Sequence, residues 1–453
     1  MPIDSNASPE VVPPCSLGTD RDRAGSVTTW AAGHGLSRSF SSVLEVRWWW
    51  PGAEPVASAV VIVKSSGSQI RHDAGNPLGG TVASRVSKVL SGFAAVVLTG
   101  GTSAASASPG PVTATTSTAY VVNQTSNTVT PISTASNTAG KAIMVGLVPD
   151  AIAITPGGGT AYVANSHSNT VTPISTATNT ARKQITVGAD PLALAVTPNG
   201  KTVYVANFNS GTVTPISTAT NTAGKAIKVG ANPDAITITP GGGTAYVANF
   251  GSNTMTPIRT ATNTAGRPIT VGSEPDAIAI TPNGATAYVA NSARFAGHPT
   301  VTPIRTSTNT ASRPISVGLL PLAIAITPDS HTAYVLSSAS QEVTPIQTAT
   351  NQALKPIPVG NLPDAIAITP TGGTAYVANF GPGTVTPIST ATNTAGTAIT
   401  VGAGPIALAV TPNGKTVYVA NANSGTVTPI STATNTAGTA IAVGQLPDAI
   451  AIT

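Results

Sequence analysis

The tyrosines of this chain mark a repeat that runs through most of its length. All eight lie in one short motif, T-A-Y-V-A-N or a near variant, and consecutive tyrosines are 42 residues apart except for one interval of 46. They are Tyr120, Tyr162, Tyr204, Tyr246, Tyr288, Tyr334, Tyr376 and Tyr418. A repeat of this length is typical either of paired helices or of small sheets of four strands.

The content of one unit decides between these alternatives. In residues 149–188, three extended segments cover Ala151–Thr155, Thr160–Ala164 and Thr170–Thr176, and a fourth ends at Gly188. We name them A, B, C and D. The A–B connections, such as Pro-Gly-Gly-Gly and Pro-Asn-Gly-Lys, favour tight hairpins. A proline or glycine interrupts every window before ten residues of helical periodicity accumulate. The repeat is therefore predicted to be all-β.

Segment A indicates how the sheets pack. It is apolar on both faces, with Ile152 and Ile154 on one side and Ala151 and Ala153 on the other. A strand of this kind needs a neighbouring sheet on each face, as in the blades of a β-propeller. The repeat resembles the YVTN-repeat β-propeller family in its P-x-A-I-A-I-T-P-x-G-x-T-A-Y-V-A-N core and T-A-T-N-T linker, over Pro109–Thr453. The resemblance implies about seven blades and a bacterial or archaeal surface or periplasmic location, but no single activity.

One departure from the family pattern concerns segment C. A proline, Pro173 in the first complete unit, occupies the same slot in all eight copies. Because proline cannot donate a ladder hydrogen bond, we expect either a bulge here or a backbone nitrogen that points away from both neighbouring strands. In both cases segment D is expected to be short or frayed.

The two ends of the repeat region complement each other. Seven complete units run from Pro149 to Gly444; segments B, C and D lie before them in Thr118–Gly146, and a lone segment A follows them in Pro447–Thr453. We therefore favour eight four-stranded blades, closed by the N- and C-terminal strands. The alternative is seven blades with spare strands at both ends.

The first 108 residues share nothing with the repeat. Residues 82–107 have the order of a secretory signal, with Arg85 and Lys88, an apolar run and small residues up to Ala107. We interpret residues 1–81 as a disordered or spurious extension and residues 108–453 as the propeller. The expected location is secreted, extracellular or cell-envelope associated, with no transmembrane span in the mature chain. The single cysteine, Cys15, excludes an intramolecular disulfide framework.

Charged residues are only 8% of the chain, but the repeat sorts them by sign. The D–A and B–C loops share an upper face, which carries eight of the nine acidic residues after Ser108, all four phenylalanines there, and the only insertion, residues 292–299. Eleven of the thirteen basic residues are assigned to A–B turns or to the surroundings of C–D loops on a lower face. The chain is thus predicted to be a disc with an acidic upper face and a basic lower face.

The upper face supplies the candidate ligand-binding residues, which are Asp150, Asp234, Asp276, Asp364, Asp448, Arg294, Phe295 and His298. No nucleophile motif, phosphate-binding loop or metal-ligand spacing is present, so no catalytic residue is assigned. The predicted function is a non-enzymatic binding or structural module. The alternative is a metal-dependent lactonase-like or lyase-like hydrolytic enzyme, with the aspartates around the channel holding a divalent cation.

The expected partners follow from the two faces. A protein or glycan is expected at the upper face and an anionic cell-envelope surface at the basic face. Nucleic acid is disfavoured because few aromatic residues are interspersed with the basic ones. No cofactor beyond the optional divalent cation is expected, and the chain is expected to be a monomer.

Overall fold

The structure is a computed structural model that describes residues 27–30, 41–46, 59–64, 117–295 and 297–453. The chain divides into two compact units, residues 1–78 and 79–453. In the first unit, Ser41–Val46 is the central strand of an antiparallel sheet between Val27–Trp30 and Ala59–Lys64. The interpretation of residues 1–81 as an extension stays a prediction, and the signal-like segment 82–107 lies outside the described residues.

The second unit contains eight antiparallel sheets of one construction. Blades 1 to 7 follow the chain from residue 149, and blade 8 combines both ends. In the order of blades 1 to 8, strand A is Pro149–Ile154, Pro191–Val196, Pro233–Ile238, Pro275–Ile280, Pro321–Ile326, Pro363–Ile368, Pro405–Val410 and Pro447–Ile452. Strand B is Thr160–Asn165, Thr202–Asn207, Thr244–Asn249, Thr286–Asn291, Thr332–Ser337, Thr374–Asn379, Thr416–Asn421 and Thr118–Asn123.

The outer half of each blade is strand C and a divided strand D. Strand C is Thr170–Ser175, Thr212–Ser217, Thr254–Arg259, Thr300–Arg305, Glu342–Gln347, Thr384–Ser389, Thr426–Ser431 and Thr128–Ser133. The first part of strand D is Thr180–Ala181, Thr222–Ala223, Thr264–Ala265, Thr310–Ala311, Gln352–Ala353, Thr394–Ala395, Thr436–Ala437 and Thr138–Ala139. The second part is Ile185–Thr186, Ile227–Lys228, Ile269–Thr270, Ile315–Ser316, Ile357–Pro358, Ile399–Thr400, Ile441–Ala442 and Ile143–Met144.

Blade 8 confirms the predicted closure of the ring. The C-terminal strand Pro447–Ile452 pairs with Thr118–Asn123, near the start of the repeat region. The Thr118 N–H donates to Thr453 Oγ1 at 2.8 Å, and the Thr453 N–H donates to the Thr118 carbonyl at 3.0 Å. The prediction of an eight-bladed β-propeller is confirmed, and the seven-bladed alternative is wrong.

The hydrophobic core lies between blades rather than within them. One cluster joins Ala153, Tyr162 and Val171 of blade 1 to Leu194 and Val203 of blade 2, and similar clusters follow around the ring. This arrangement explains why strands A and B are apolar on both faces.

The repeated tyrosine links each blade to the next. Tyr162 is fully buried, and its hydroxyl donates to Asn221 Oδ1 of blade 2 at 2.7 Å. All eight tyrosines make this bond, and Tyr418 of blade 7 reaches Asn137 of blade 8 at 2.5 Å. Each acceptor is the asparagine of the linker, held at φ between 52° and 56°. Asparagine tolerates this left-handed conformation better than most residues, so the T-N-T linker combines a turn with a hydrogen-bond acceptor.

The proline of strand C interrupts strand D, as predicted. Pro173 pairs with Tyr162 on the strand B side, and on the other side its carbonyl accepts the Arg182 N–H at 2.8 Å. Lacking an N–H, Pro173 donates nothing to strand D, which is paired only at Thr180–Ala181 and at Ile185–Thr186. The prediction placed the start of strand A at Ala151, but the strand begins two residues earlier, at Pro149.

Candidate functional site

A β-bulge turns one residue of each strand A towards the centre of the propeller. In blade 1, Pro149 pairs with Asn165 and Ala151 with Ala164, so Asp150 is the extra residue of a bulge. The same shift recurs in every other blade. Strands A of neighbouring blades contact each other around the axis, and a bulge re-aims its side chain. The eight bulge residues, which we call the channel ring, are Asp150, Leu192, Asp234, Asp276, Leu322, Asp364, Ile406 and Asp448.

The loop before each strand A holds the ring in place. Val148 has φ of 49°, an unfavourable value for a β-branched residue. Its N–H donates to Asn127 Oδ1 at 2.8 Å, and its carbonyl accepts the Ser166 N–H at 2.9 Å. The residue in this position has a positive φ in all eight blades. The strain is compensated by these bonds, which fix the residue after strand B beside the start of strand A.

The channel ring combines five acidic side chains with three aliphatic ones. Asp150, Asp234, Asp276 and Asp448 are at most 5% exposed, and the ring members Leu192, Leu322 and Ile406 are buried to the same extent. Gln124, the first residue after strand B of blade 8, donates from Nε2 to Asp150 Oδ1 at 2.5 Å. Buried carboxyls beside aliphatic groups are costly to ionise unless a charge or a donor stabilises them.

Arg294 of the insertion supplies such a charge. Its Nη2 donates to Asp276 Oδ2 at 2.9 Å, and its guanidinium carbon lies 5.8 Å from the centre of the Phe250 ring. Burial raises the pKa of Asp276, while Arg294 and a hydrogen bond from Ser292 act in the opposite direction. The upper face thus already holds a guanidinium between a carboxylate and an aromatic ring.

Asp364 of the ring is affected both by burial and by a like charge. Water reaches part of its surface, yet protein surrounds the carboxyl, and this burial raises its pKa well above the ordinary value. The negative charge of Asp448 raises it further, and the positive charge of Arg294 opposes the shift. Asp448 and Arg294 belong to blades on opposite sides of Asp364, which indicates that these charges converge on the channel.

Three phenylalanines lie in the B–C loops of the upper face. Phe208, Phe250 and Phe380 each follow strand B directly, and all three are half-buried. The Phe208 and Phe250 rings are 6.5 Å apart, centre to centre, at an interplanar angle of 44°. Phe380 packs against a buried cluster that includes Ile406 of the ring. The upper end of the channel therefore presents aromatic surface next to carboxylates.

The predicted site residues separate into two groups. The five aspartates occupy equivalent ring positions, and Arg294 joins Asp276. Phe295 and His298 are exposed, and Phe295 is fixed through its N–H to the Glu274 carboxylate at 3.2 Å. The sequence did not indicate Gln124 or the three aliphatic members of the ring, because their positions depend on the bulge.

Seven of the eleven basic residues assigned to the lower face lie elsewhere. Only Lys201, Lys415, Arg259 and Arg305 lie at A–B turns or at the lower ends of strand C. The other seven assigned to the lower face lie in the interruption of strand D, on the outer edge of the blades, because strand D is paired on both sides of this interruption. They are Lys141, Arg182, Lys183, Lys225, Arg267, Arg313 and Lys355.

Other candidate features are limited. Among the described residues, no three His, Cys, Asp or Glu side chains are close enough together to hold a metal ion. In the same part of the chain, the single-turn 3₁₀ helix Phe250–Ser252 is the only helix, and none could cross a bilayer. A cavity of about 180 Å³ beside Thr118 and Asn179 has no charged residue in its lining and is remote from the ring.

Comparison with known proteins supports the fold. No protein-family model and no curated protein matches the sequence. Among solved structures, the chain is similar to Kuenenia stuttgartiensis hydrazine synthase, with 26% identity over 63% of this chain and 96% of that chain, at a TM-score of 0.54.

Two further structures share the fold at lower identity. The dihydro-heme d1 dehydrogenase NirN, in complex with DHE, has 13% identity over 74% of each chain and a TM-score of 0.65. A functionally unknown protein from Desulfotomaculum acetoxidans has 18% identity over 74% of this chain and 98% of its own, with a TM-score of 0.54.

Proposed function

We propose that the chain is a non-enzymatic binding propeller whose upper channel end recognises a cationic group, an ammonium or guanidinium, presented by a protein partner. The main support for the proposal is the position of the Arg294 guanidinium, which pairs with Asp276 and lies over the Phe250 ring. The molecule itself holds a guanidinium at this end of the channel, and the ring has more carboxylates than this one side chain neutralises.

The ring members of blades 6 to 8, which are Asp364, Ile406 and Asp448, also favour a cationic ligand. Asp364 and Asp448 repel each other, and burial disfavours the ionised form of Asp364. A bound cation would relieve both effects, because charge-assisted hydrogen bonds are strongest in a partly desolvated site. Phe380 and Ile406 offer the apolar surface that the stem of a lysine or arginine side chain needs.

Calorimetry with short peptides tests the proposal. The peptide Gly-Arg-Gly, blocked at both ends, is expected to bind with a Kd of about 1 mM or tighter, and Gly-Gln-Gly is not. Asp364→Asn should weaken binding. Asp329→Asn is the matched control, because Asp329 is an exposed carboxylate in a lower turn, 3.0 Å from His331. Equal affinity for the two peptides would refute the proposal.

Arg294 provides a second, independent arm of this test. If its guanidinium occupies part of the binding site, Arg294→Ala should remove the competing cation beside Asp276 and tighten the binding of the arginine peptide. Weaker binding by Arg294→Ala would instead mean that Arg294 contacts an anionic group of the ligand.

The alternative is the metal-dependent hydrolytic enzyme. Two of the similar structures are named as enzymes, a synthase and a dehydrogenase, so the fold itself accommodates catalysis. Calcium or manganese titration distinguishes the alternatives: saturable binding below about 1 mM, abolished by Asp364→Asn, would favour the enzyme.

Family and location are proposed from the sequence. The motif supports membership of the YVTN-repeat family, and residues 82–107 support secretion or attachment to the cell envelope. N-terminal sequencing of the exported protein tests the second point. A start near Ser108 is expected, and an exported chain that still begins with Met1 would contradict it.

A further inference from the structure

The interruption of strand D carries a regular series of basic side chains. The second residue of the interruption is Lys or Arg in blade 8 and in blades 1 to 5, and Thr in blades 6 and 7. The six residues, which we call the cation arc, are Lys141, Lys183, Lys225, Arg267, Arg313 and Lys355. All six are exposed, and none is in an ion pair among the described residues.

The proline of strand C gives the arc its regularity. In every blade, the N–H of the residue before this slot donates to the carbonyl of the proline at 2.7 or 2.8 Å, as Gly140 does to Pro131. The same backbone turn therefore presents the next residue outward in each blade. Successive blades of an eight-bladed ring are about 45° apart, so the arc covers more than half of the circumference.

The charge along the arc has one sign. Strands C and D of blade 8 and of blades 1 to 4, with the residues between them, contain no Asp or Glu. Arg182 and Lys228 add further positive charge to the same part of the molecule. A surface of this kind attracts a polyanion, and the attraction weakens as salt is added.

We propose that the cation arc binds a flexible acidic polysaccharide that follows the outer edge of the propeller. A flat anionic membrane could touch only a few neighbouring members of a curved arc. Duplex DNA is stiff, with a persistence length of about 50 nm. Strands C and D contain no Phe, Trp, Tyr or His on which bases of a single strand could stack. This site is separate from the channel ring, and the inference goes beyond the function proposed above.

Binding to polygalacturonate, with neutral dextran as the control ligand, tests the proposal. The arc variant replaces Lys183, Lys225, Arg267 and Arg313 with Thr, the residue that the chain itself has at Thr397 and Thr439 in this slot. The matched control replaces four exposed cations of the lower face with Thr and removes the same charge; they are Lys201, Arg259, Arg305 and Lys415.

The arc variant should bind polygalacturonate at least about ten-fold more weakly, because four exposed contacts of modest strength are lost together. The slope of log K against log salt should fall by up to about one for each cation removed. The control should change less than two-fold. Thr397→Lys with Thr439→Lys should tighten binding, which keeps the test decisive if the arc variant does not fold. Equal losses in the arc and control variants, or equally tight binding of duplex DNA or anionic vesicles, would overturn the proposal.

Discussion

The hydrogen bond between Tyr376 and Asn435 gives the sharpest test of how the blades are held together. Tyr376 is fully buried, and its hydroxyl donates to Asn435 Oδ1 at 2.6 Å. Tyr376→Phe removes this donor and leaves the ring in place. Because Asn435 is exposed, water can replace the lost donor, so we expect only the net value of a hydrogen bond, about 1 kcal/mol. For a propeller of this size that loss lowers the Tm by about 1.5 °C.

A double-mutant cycle isolates this interaction. Asn435→Gly removes the acceptor but tolerates the φ of 53° at this position. If the bond contributes as argued, Tyr376→Phe costs about 1 kcal/mol in the native background and close to nothing in Asn435→Gly, as measured by urea denaturation. Equal costs in the two backgrounds would refute the reasoning. Tyrosine to phenylalanine in four alternate blades should lower the Tm by about 6 °C; the four are Tyr162, Tyr246, Tyr334 and Tyr418.

Three further predictions concern charge and closure. Burial raises the pKa of Asp364, so the contribution of this residue to stability falls as pH rises above about 4. Asp364→Asn should therefore raise the Tm at pH 7.5 but not at pH 3. A lower Tm of the variant at pH 7.5 would contradict this. Burial raises the pKa of the tyrosines, to about 12 for Tyr288 and Tyr334. An absorbance titration of the native protein should therefore show no tyrosine ionising at about pH 10. Stability should be lost between about pH 10 and pH 12, because the unfolded chain ionises its tyrosines first. Gly444→Ala would place a Cβ 2.6 Å from Asn123 Cγ and should lower the Tm, whereas Gly157→Ala, with no atom within 4 Å, should leave it unchanged.

Much of the fold was predictable because the same local sequence pattern recurs eight times. Alternating turn signals and apolar segments gave four strands per blade, and the incomplete units at the two ends gave eight blades. The proline of strand C correctly predicted a weakened strand D. The sequence could not show that seven tyrosines bond an asparagine 59 or 63 residues later, or that Tyr418 bonds Asn137 near the start of the repeat, because these contacts exist only between neighbouring blades.

The candidate site was less predictable for two physical reasons. The bulge at Asp150 depends on the register between strands A and B, and a shift of one residue changes where the side chain points. The sequence therefore indicated a ring of aspartates but not the aliphatic residues that share it. The basic residues were assigned to a lower face because strand D was expected to begin only after residue 181, which placed them beside the C–D loop, whereas the strand already begins at Thr180. Its interruption places Lys183 and its equivalents on the outer edge instead.

Truncation of the C-terminal strand tests the closed ring most directly. Deletion of Pro447–Thr453 removes strand A of blade 8 together with its ladder to Thr118–Asn123. It also exposes the inter-blade surfaces that Ala449 and Ile450 help to cover. A closed ring predicts a Tm lower by at least about 10 °C, since a whole inner strand and its buried surface are lost. A melting curve identical to that of the full chain would contradict the closure on which this account depends.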